Sequence, residues 1–186
     1  MSLSKAYLRW RHSKGFGIHS PYAYRFVTDV LRPGRYGLYS YEKIDSLLRD
    51  NSYSNHSIKR WVRFIVRLAV FLKSSRIVSN RAASVMSKVA AKALNIHYTA
   101  PTNPDKFKFK EGDLFITEGG ETEASLLDSA IKNGVPVFAV NPTESVRTIL
   151  EQPLENGMLL RDKERLILIP RKEMAYVAYD IRLKAL

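Results

Sequence analysis

The spacing of apolar and polar residues changes near residue 75. Before it, apolar residues recur at three- and four-residue steps, most clearly in SIKRWVRFIVRLAVFL at 57–72, which predicts an amphipathic helix. Residues 21–50 predict two shorter helices, separated by a Pro33-Gly34 turn and an aromatic-rich link. A membrane-surface helix shares the pattern of 57–72, but the pattern also suits a helix packed on the domain that follows, and this interpretation is favoured.

After residue 75, short apolar runs alternate with helical segments. Strands are predicted at RIVS (76–79), IHYT (96–99), DLFITE (113–118) and VPVFAV (135–140), with helices between and after them. This alternation predicts an α/β fold with a mostly parallel sheet and helices on both faces. The tail segments GMLL, RLILIP and AYVAYDIRL are joined only by turns, so they predict antiparallel C-terminal strands at one sheet edge.

Composition removes several classes of site. The 186 residues include no cysteine, which excludes disulfides, thiolate metal sites and thiol nucleophiles. The four histidines show no metal-ligand spacing. Glu118, Glu121 and Glu123 offer oxygen ligands for a divalent ion, but acids at a helix start also complement its dipole, and no metal is predicted. Without a signal-like or membrane-spanning apolar run, the chain is expected to be cytoplasmic.

Basic charge is concentrated in the first half of the chain. Residues 1–100 carry 18 Lys and Arg against 4 Asp and Glu, whereas residues 101–186 carry 12 against 14. This asymmetry suits a surface that contacts nucleic acid or another polyanion, although a solvated basic surface gives the same pattern. Arg60, Arg63 and Arg67 fall on one strip of the helix predicted at 57–72, and are the candidate polyanion-binding residues.

The predicted topology also locates a ligand site. Open α/β sheets bind ligands outside the carboxyl ends of their strands, where the strand order reverses. The residues that follow or end the predicted strands are Ser79, Asn80, Arg81, Thr99, Glu118, Gly119, Gly120 and Asn141.

Three segments of the chain carry a family resemblance. GFGIHSPYAYRFVTDVL, at 15–31, is similar to an HGVHSPFVF-type signature, and DLFITEGG and the closing segment GMLLRDKERLILIPRKEMAYVAYDIRL fit the same family. This family is a group of class I S-adenosylmethionine-dependent methyltransferase-like proteins common in Bacteroidetes. The resemblance implies an N-terminal helical extension at 1–56 and a shortened Rossmann-like methyltransferase domain at 57–186, with S-adenosylmethionine as cofactor and an acceptor that the sequence does not name.

The resemblance assigns roles to the candidate residues. It implies that Ser79, Asn80, Arg81, Thr99 and the Glu118-Gly119-Gly120 segment lie at the cofactor. An N-terminal segment folded over the substrate side of the sheet makes His19, Ser20 and Tyr22 candidate substrate contacts, together with Asn141. The alternative for KGFGIHSPYAYRF, at 14–26, is a capped and packed start of the first helix.

The chain departs from the family pattern at the cofactor. RIVSNRAASVM lacks the glycines and the acid expected after the first strand, and IHYTAPTN lacks the carboxylate expected after the second. These departures predict weak or lost cofactor binding. Two functions therefore stay open, a methyltransferase of unknown acceptor and a non-catalytic basic module that contacts nucleic acid or another polyanion. Homodimerisation through the N-terminal helices is compatible with both.

Overall fold

The computed structural model describes residues 3–15, 17–32, 41–50, 56–119 and 124–183. The helices of this part are α1 (Leu3–Ser13), α2 (Pro21–Phe26), α3 (Tyr41–Asp50), α4 (His56–Phe71), α5 (Ser84–Leu94), α6 (Ala124–Lys132) and α7 (Glu144–Leu150). A π-helical segment, Val27–Leu31, continues α2, and a 3₁₀ turn spans Pro104–Lys106. The strands are β1 (Arg76–Ser79), β2 (His97–Thr99), β3 (Asp113–Glu118), β4 (Val137–Val140), β5 (Asn156–Arg161), β6 (Arg165–Ala175) and β7 (Val177–Asp180). The predicted Pro33-Gly34 turn and aromatic link lie outside the described residues.

The strands form one sheet in the order β2-β1-β3-β4-β6-β5-β7. Strands β1 to β4 are parallel, and β6 is antiparallel to both of its neighbours, β4 and β5. The fold is therefore α/β and Rossmann-like, with a mostly parallel sheet, antiparallel C-terminal pairing and preceding helices, as the sequence pattern predicted.

One C-terminal strand differs from the prediction. Strand β7 pairs with β5 in parallel, with Met158 opposite Val177, and does not form a hairpin with β6. The end of β6 instead passes around the start of β5, where Gly157 faces Pro170 but Asn156 faces Ala175. This irregularity lets the chain cross to the far side of β5. Turn-length gaps alone do not distinguish such a crossing from a hairpin.

Helices cover both faces of the sheet. On one face, α2, the π-helical segment, α3, α4 and α5 share a core with inward side chains such as Ile77, Ile116 and Phe138. On the other face, α6 and α7 pack on Phe115 and Val137. Successive strand residues point to opposite faces, so β1, β3, β4, β5 and β6 each contribute to both cores.

The link between β2 and β3 is short. The described residues 100–112 contain only the 3₁₀ turn and a loop, in agreement with the predicted shortening of the sheet. Within the segment KFKFK, Phe107 and Phe109 pack on the core that α6 and α7 form with the sheet, and the ring centroids of Phe109 and Phe115 lie 5.5 Å apart. The lysines of the segment, Lys106, Lys108 and Lys110, are exposed. The loop phenylalanines thus cover part of a sheet face.

Helix α4 contains the longest unbroken run of buried residues among the helices of the described chain. Its residues Val62 and Phe64–Ala69 are all buried, and the ring of Phe64 lies 5.1 Å from that of Phe138 in β4. The π-helical segment and α3 contact α4, and both belong to the same core as the sheet. The predicted helical extension is therefore continuous with the α/β core.

We predict that Gly157→Ala lowers the free energy of unfolding by about 3 kcal/mol. Gly157 has a φ of +129°, and a Cβ there would meet the backbone of Ile169 and lie 3.0 Å from the Cα of Pro170. Gly134→Ala is the matched control, because Gly134 also has a positive φ (+68°) but no atom within 4 Å of its added Cβ. Urea unfolding should show a loss of only about 1 kcal/mol for the control, and equal losses would contradict the prediction.

Candidate functional site

The carboxyl ends of the parallel strands meet at one edge of the sheet. Ser79 ends β1 opposite Ile116 of β3, and Glu118 ends β3 opposite Val140 of β4. From this centre the chain runs outward in two directions, since β1 leads to β2 on one side and β3 leads to β4 on the other. The gap between β1 and β3 is therefore where an open α/β sheet binds ligands.

Asn80 bridges this gap with its side-chain amide. Its Nδ2 donates to the carbonyl oxygen of Glu118 at 2.9 Å, and its Oδ1 accepts from the backbone N–H groups of Glu118 at 3.2 Å and Ala83 at 3.1 Å. Its own N–H donates to the carbonyl of Ile116 at 3.2 Å. One side chain thus joins the end of β1, the end of β3 and the turn before α5. Helix α5 begins at Ser84, directly after this turn.

Ser79 and Tyr98 join β1 to β2 in a similar way. Ser79 is fully buried, its Oγ donates to the carbonyl of Asn80 at 3.0 Å, and the Tyr98 hydroxyl lies 3.1 Å from that Oγ. Since the Ser79 proton is used on Asn80, Tyr98 acts as the donor in the second bond. Thr99, half-buried, ends β2. The end of β2 therefore presents hydroxyl groups.

Arg81 and Gly119 flank the Asn80 bridge. Arg81 is exposed. Gly119 has a φ of +71° with no atom within 4 Å of an added Cβ, and its N–H donates to the carbonyl of Val140 at 3.1 Å. The positive φ at position 119 favours glycine, although no neighbouring atom would obstruct a side chain there. Gly120, Glu121 and Glu123 lie outside the described residues.

Glu118 is the acidic side chain among these candidates. It is half-buried, and burial raises the pKa of its carboxyl group above the ordinary value. A carboxylate with a raised pKa is a better proton acceptor than an exposed one. Glu118 is thus the group at this edge best suited to accept a proton or a hydrogen bond from a ligand.

Tyr22 lies at the opposite, amino-terminal edge of the sheet. It lines a cleft with Lys73, Glu111 and Pro136, which precede β1, β3 and β4 respectively. The guanidinium carbon of Arg171 lies 4.2 Å from the ring centroid of Tyr22. Burial raises the pKa of the Tyr22 hydroxyl, although a hydrogen bond and the charge of Arg171 oppose this effect. The structure does not bring Tyr22 together with the carboxyl-edge candidates.

The other candidate substrate contacts are divided between the two edges. Ser20 caps α2, where its Oγ accepts from the N–H of Ala23 at 3.3 Å, and it also contacts Met174 near the end of β6. His19, beside it, is exposed. Asn141 is exposed at the carboxyl edge, with a φ of +47°. Among these candidates only Asn141 shares an edge with Asn80.

These contacts favour the structural explanation of the KGFGIHSPYAYRF segment. Gly15 has a φ of +83°, and a Cβ there would lie 2.9 Å from the ring of Tyr24. Ser20 is the N-cap, Pro21 begins α2, and Phe26 is fully buried. The KGFGIHSPYAYRF segment is therefore the capped and packed start of α2.

The three candidate polyanion-binding arginines do not form one exposed strip. Arg60 is exposed, but Arg63 forms a salt bridge with Asp45 of α3 at 3.1 Å. Arg67 is only 1 % exposed, and its Nε donates to the carbonyl of Val30 at 2.8 Å. The expectation that Arg67 contacts a polyanion is therefore corrected, because the helices packed on α4 enclose it. A positive charge at the end of the π-helical segment also complements the helix dipole.

A second open space lies at the amino-terminal edge. This cleft, of about 670 Å³, is lined by residues that include Lys110, Lys132 and Arg171, and also Glu111 and Glu155. The sequence pattern did not indicate it, because its walls come from separate loops and from the end of β6. Charges of both signs line it, so it shows no preference for an anion or a cation.

In the part of the chain that the structure describes, no three His, Asp or Glu side chains are grouped so that they could hold a metal ion. Nor does that part contain a helix with the length and apolar character needed to cross a membrane.

Comparison with protein-family models, with curated proteins and with solved structures finds no match to this chain. The methyltransferase resemblance therefore stays a prediction from the residues quoted above. The geometry of the carboxyl edge is the observation on which a function can be argued.

We predict that Asn80→Ala lowers the free energy of unfolding by about 2–3 kcal/mol. The substitution removes three hydrogen bonds and leaves backbone groups of Glu118 and Ala83 without their partner. Asn103→Ala, at an exposed position, is the control and should change stability by less than about 0.5 kcal/mol in urea unfolding. A loss for Asn80→Ala as small as that of the control would show that the bridge is not formed.

Glu118→Gln is expected to raise the melting temperature at pH 7 more than at pH 4. The folded protein raises the pKa of Glu118, so its carboxyl group favours folding when protonated, and this contribution is lost as pH rises through the raised pKa. The amide removes the cost of burying a charge at pH 7. Calorimetric scans from pH 4 to pH 8 test this, and a difference from wild type that does not change with pH would contradict it.

Proposed function

We propose that this protein is a methyltransferase-like α/β protein in which the S-adenosylmethionine crevice is closed, so that it acts by binding a partner and not by methyl transfer. The proposal is supported by the resemblance of the N-terminal motif and the closing strands. The Rossmann-like sheet with antiparallel C-terminal pairing is compatible with it. An acceptor is not assigned, because a closed crevice has no methyl group to deliver.

The Asn80 bridge is the observation that carries this proposal. A cofactor at the gap between β1 and β3 needs a backbone that it can approach closely and donors that are free to bind it. Here the Asn80 amide uses the N–H and carbonyl of Glu118 and the N–H of Ala83. A cofactor would have to break these bonds, and the loss of their net free energy, on the order of 1 kcal/mol each, would reduce its affinity.

The residues around the bridge also oppose cofactor binding. The exposed Arg81 brings a positive charge to the loop after β1, which is unfavourable for a cationic sulfonium group. The end of β2 offers the Tyr98 and Thr99 hydroxyls, where the resemblance leads us to expect a carboxylate for the ribose. Among the described residues of the crevice, Glu118 keeps an acidic group.

Polyanion binding through α4 is the weaker alternative. The residues expected to bind the polyanion are Arg60, Arg63 and Arg67, but Arg63 and Arg67 have partners inside the fold. The basic excess of the first half therefore has to be tested at other exposed residues.

We predict that S-adenosylmethionine and S-adenosylhomocysteine, at millimolar concentration, shift the melting temperature by less than about 1 °C. A ligand at one hundred times its dissociation constant would stabilise the fold by roughly 2.7 kcal/mol, or about 5–10 °C for a domain of this size. Thermal unfolding of the wild type with each ligand makes this measurement.

Glu118→Ala provides the control for a positive result. A shift of several degrees in the wild type that disappears in Glu118→Ala would place the cofactor at the carboxyl edge and overturn the closed-crevice proposal. A shift that persists in the variant would indicate binding elsewhere, and would leave the Asn80 bridge intact.

A further inference from the structure

Helix α1 turns an apolar face away from the protein. Tyr7, Leu8 and Trp10 are 57 %, 45 % and 44 % exposed, and they are three of the five large hydrophobic residues with high exposure in the described chain. Residues three and four apart lie on the same side of a helix, which places Arg11 and Lys14 beside Tyr7 and Trp10. We call these five residues the α1 face.

His12, one turn after Leu8 at the border of the α1 face, attaches the helix to the sheet. His12 Nδ1 lies 2.9 Å from the carbonyl oxygen of Asp180, and the His12 ring meets the ring of Tyr179 edge-on at 5.5 Å. Both residues belong to β7, the strand at one end of the sheet. The helix thus packs through a polar histidine and leaves its aromatic side outward, which reverses the usual arrangement of a surface helix.

The charges that the sequence carries on and next to α1 have one sign. Residues 1–28 contain five Lys and Arg and no Asp or Glu. Arg11 lies above the Tyr7 ring, with its guanidinium carbon 5.8 Å from the ring centroid, and Lys14 is exposed. An exposed aromatic, Tyr24, lies against Gly15 just beyond the end of α1, with the exposed Arg25 next to it. The occupant of such a surface must be both anionic and able to take up apolar side chains.

We propose that the α1 face binds the surface of an anionic lipid bilayer. Tryptophan, tyrosine and leucine on one side of a short helix, with flanking Lys and Arg, are suited to the boundary between headgroups and acyl chains. The aliphatic Leu8 gains from acyl contact and cannot stack on a base. The rings of Tyr7 and Trp10 are stacked on each other, with centroids 6.0 Å apart and an interplanar angle of 23°, so part of each ring face is already covered. These two features favour lipid over single-stranded nucleic acid, which needs free ring faces.

The proposal does not depend on the state of the cofactor crevice. The α1 face lies on a helix attached to β7, whereas the Asn80 bridge joins β1 and β3. Strands β4, β6 and β5 lie between β3 and β7 in the sheet. A protein that binds cofactor could still carry this surface.

Co-sedimentation with vesicles of phosphatidylcholine and phosphatidylglycerol, mixed about 7:3 (roughly the anionic content that gives a strong surface potential), tests the proposal. The full chain is expected to bind these vesicles, to bind pure phosphatidylcholine much more weakly, and to lose affinity as salt is added. Arg11→Gln with Lys14→Gln should lower the partition constant on the order of 30-fold, since each cation near the surface contributes about 1 kcal/mol. Lys110→Gln with Lys132→Gln, at exposed positions on the amino-terminal edge, should change it by less than about 2-fold.

Insertion of the apolar side chains needs its own measurement. In a Trp61→Phe background, the emission of Trp10 should move to shorter wavelength when anionic vesicles are added. Leu8→Ser with Trp10→Ser should lower vesicle binding at least about 10-fold, whereas Val70→Ser, which removes an exposed apolar residue from α4, should not. If Trp61→Phe does not fold, the difference in emission between wild type and Trp10→Phe gives the same information.

Four results would overturn the proposal. The first is no binding to anionic vesicles at low salt. The second is binding without a change in Trp10 emission, which would mean adsorption through another basic surface. The third is tighter binding of poly(U) that quenches Trp10, which would make the face a nucleic-acid surface. The fourth is a dimer in light scattering that dissociates with Leu8→Ser and Trp10→Ser, which would show that a second copy covers the face.

Discussion

The burial of α4 between the sheet and the N-terminal helices is the constraint on which the rest of the fold depends. Phe64 packs on Phe138 of the sheet, and all residues from 62 to 69 except Arg63 are buried. A helix enclosed on several sides buries apolar area around most of its circumference, and each such side chain contributes roughly 1.5–3 kcal/mol. The same enclosure determines the fate of the charges on α4. Arg67 is buried with its Nε on the carbonyl of Val30, and Arg63 is bound to Asp45 of α3.

Strands β1 and β3 are held together at both ends by side chains. At the amino-terminal end, Arg76 Nε donates to Asp113 Oδ1 at 2.7 Å in a forked ion pair. At the carboxyl end, Asn80 bonds the backbone of Glu118 in both directions. The place where a Rossmann-like sheet ordinarily opens to a ligand is here a point of attachment. A fold can keep the position of a site while its residues serve stability, which is why function has to be argued from the site itself.

The basic residues of α4 and α1 differ in their exposure to solvent. The sequence pattern places three arginines of α4 on one strip of the helix. In the structure Arg60 is exposed, whereas Arg63 and Arg67 are bonded to other parts of the protein. Tyr7 and Trp10 of α1 and Lys14 just after it are, in contrast, exposed, with no acidic residue before Asp29 in the sequence. The packing of other helices on α4 decides this division, because charges at a packed interface are paired or enclosed, whereas those on the outer side of α1 meet solvent.

The sequence by itself determined most of the secondary structure and the fold class. β1 and β3 lie at the predicted residues, and the helix expected at 57–72 spans His56–Phe71, since apolar periodicity and buried β-branched runs act over a few residues. It also predicted that the carboxyl ends of these parallel strands lie at one edge of the sheet, because strand direction follows from the alternation of strands and helices. Only the tertiary structure decided the parallel pairing of β7 with β5, the burial of Arg67, the opposite-edge position of Tyr22 and the bridging role of Asn80. Each of these depends on which distant elements meet, and a pattern of local periodicity carries no information about the partner across the sheet or core.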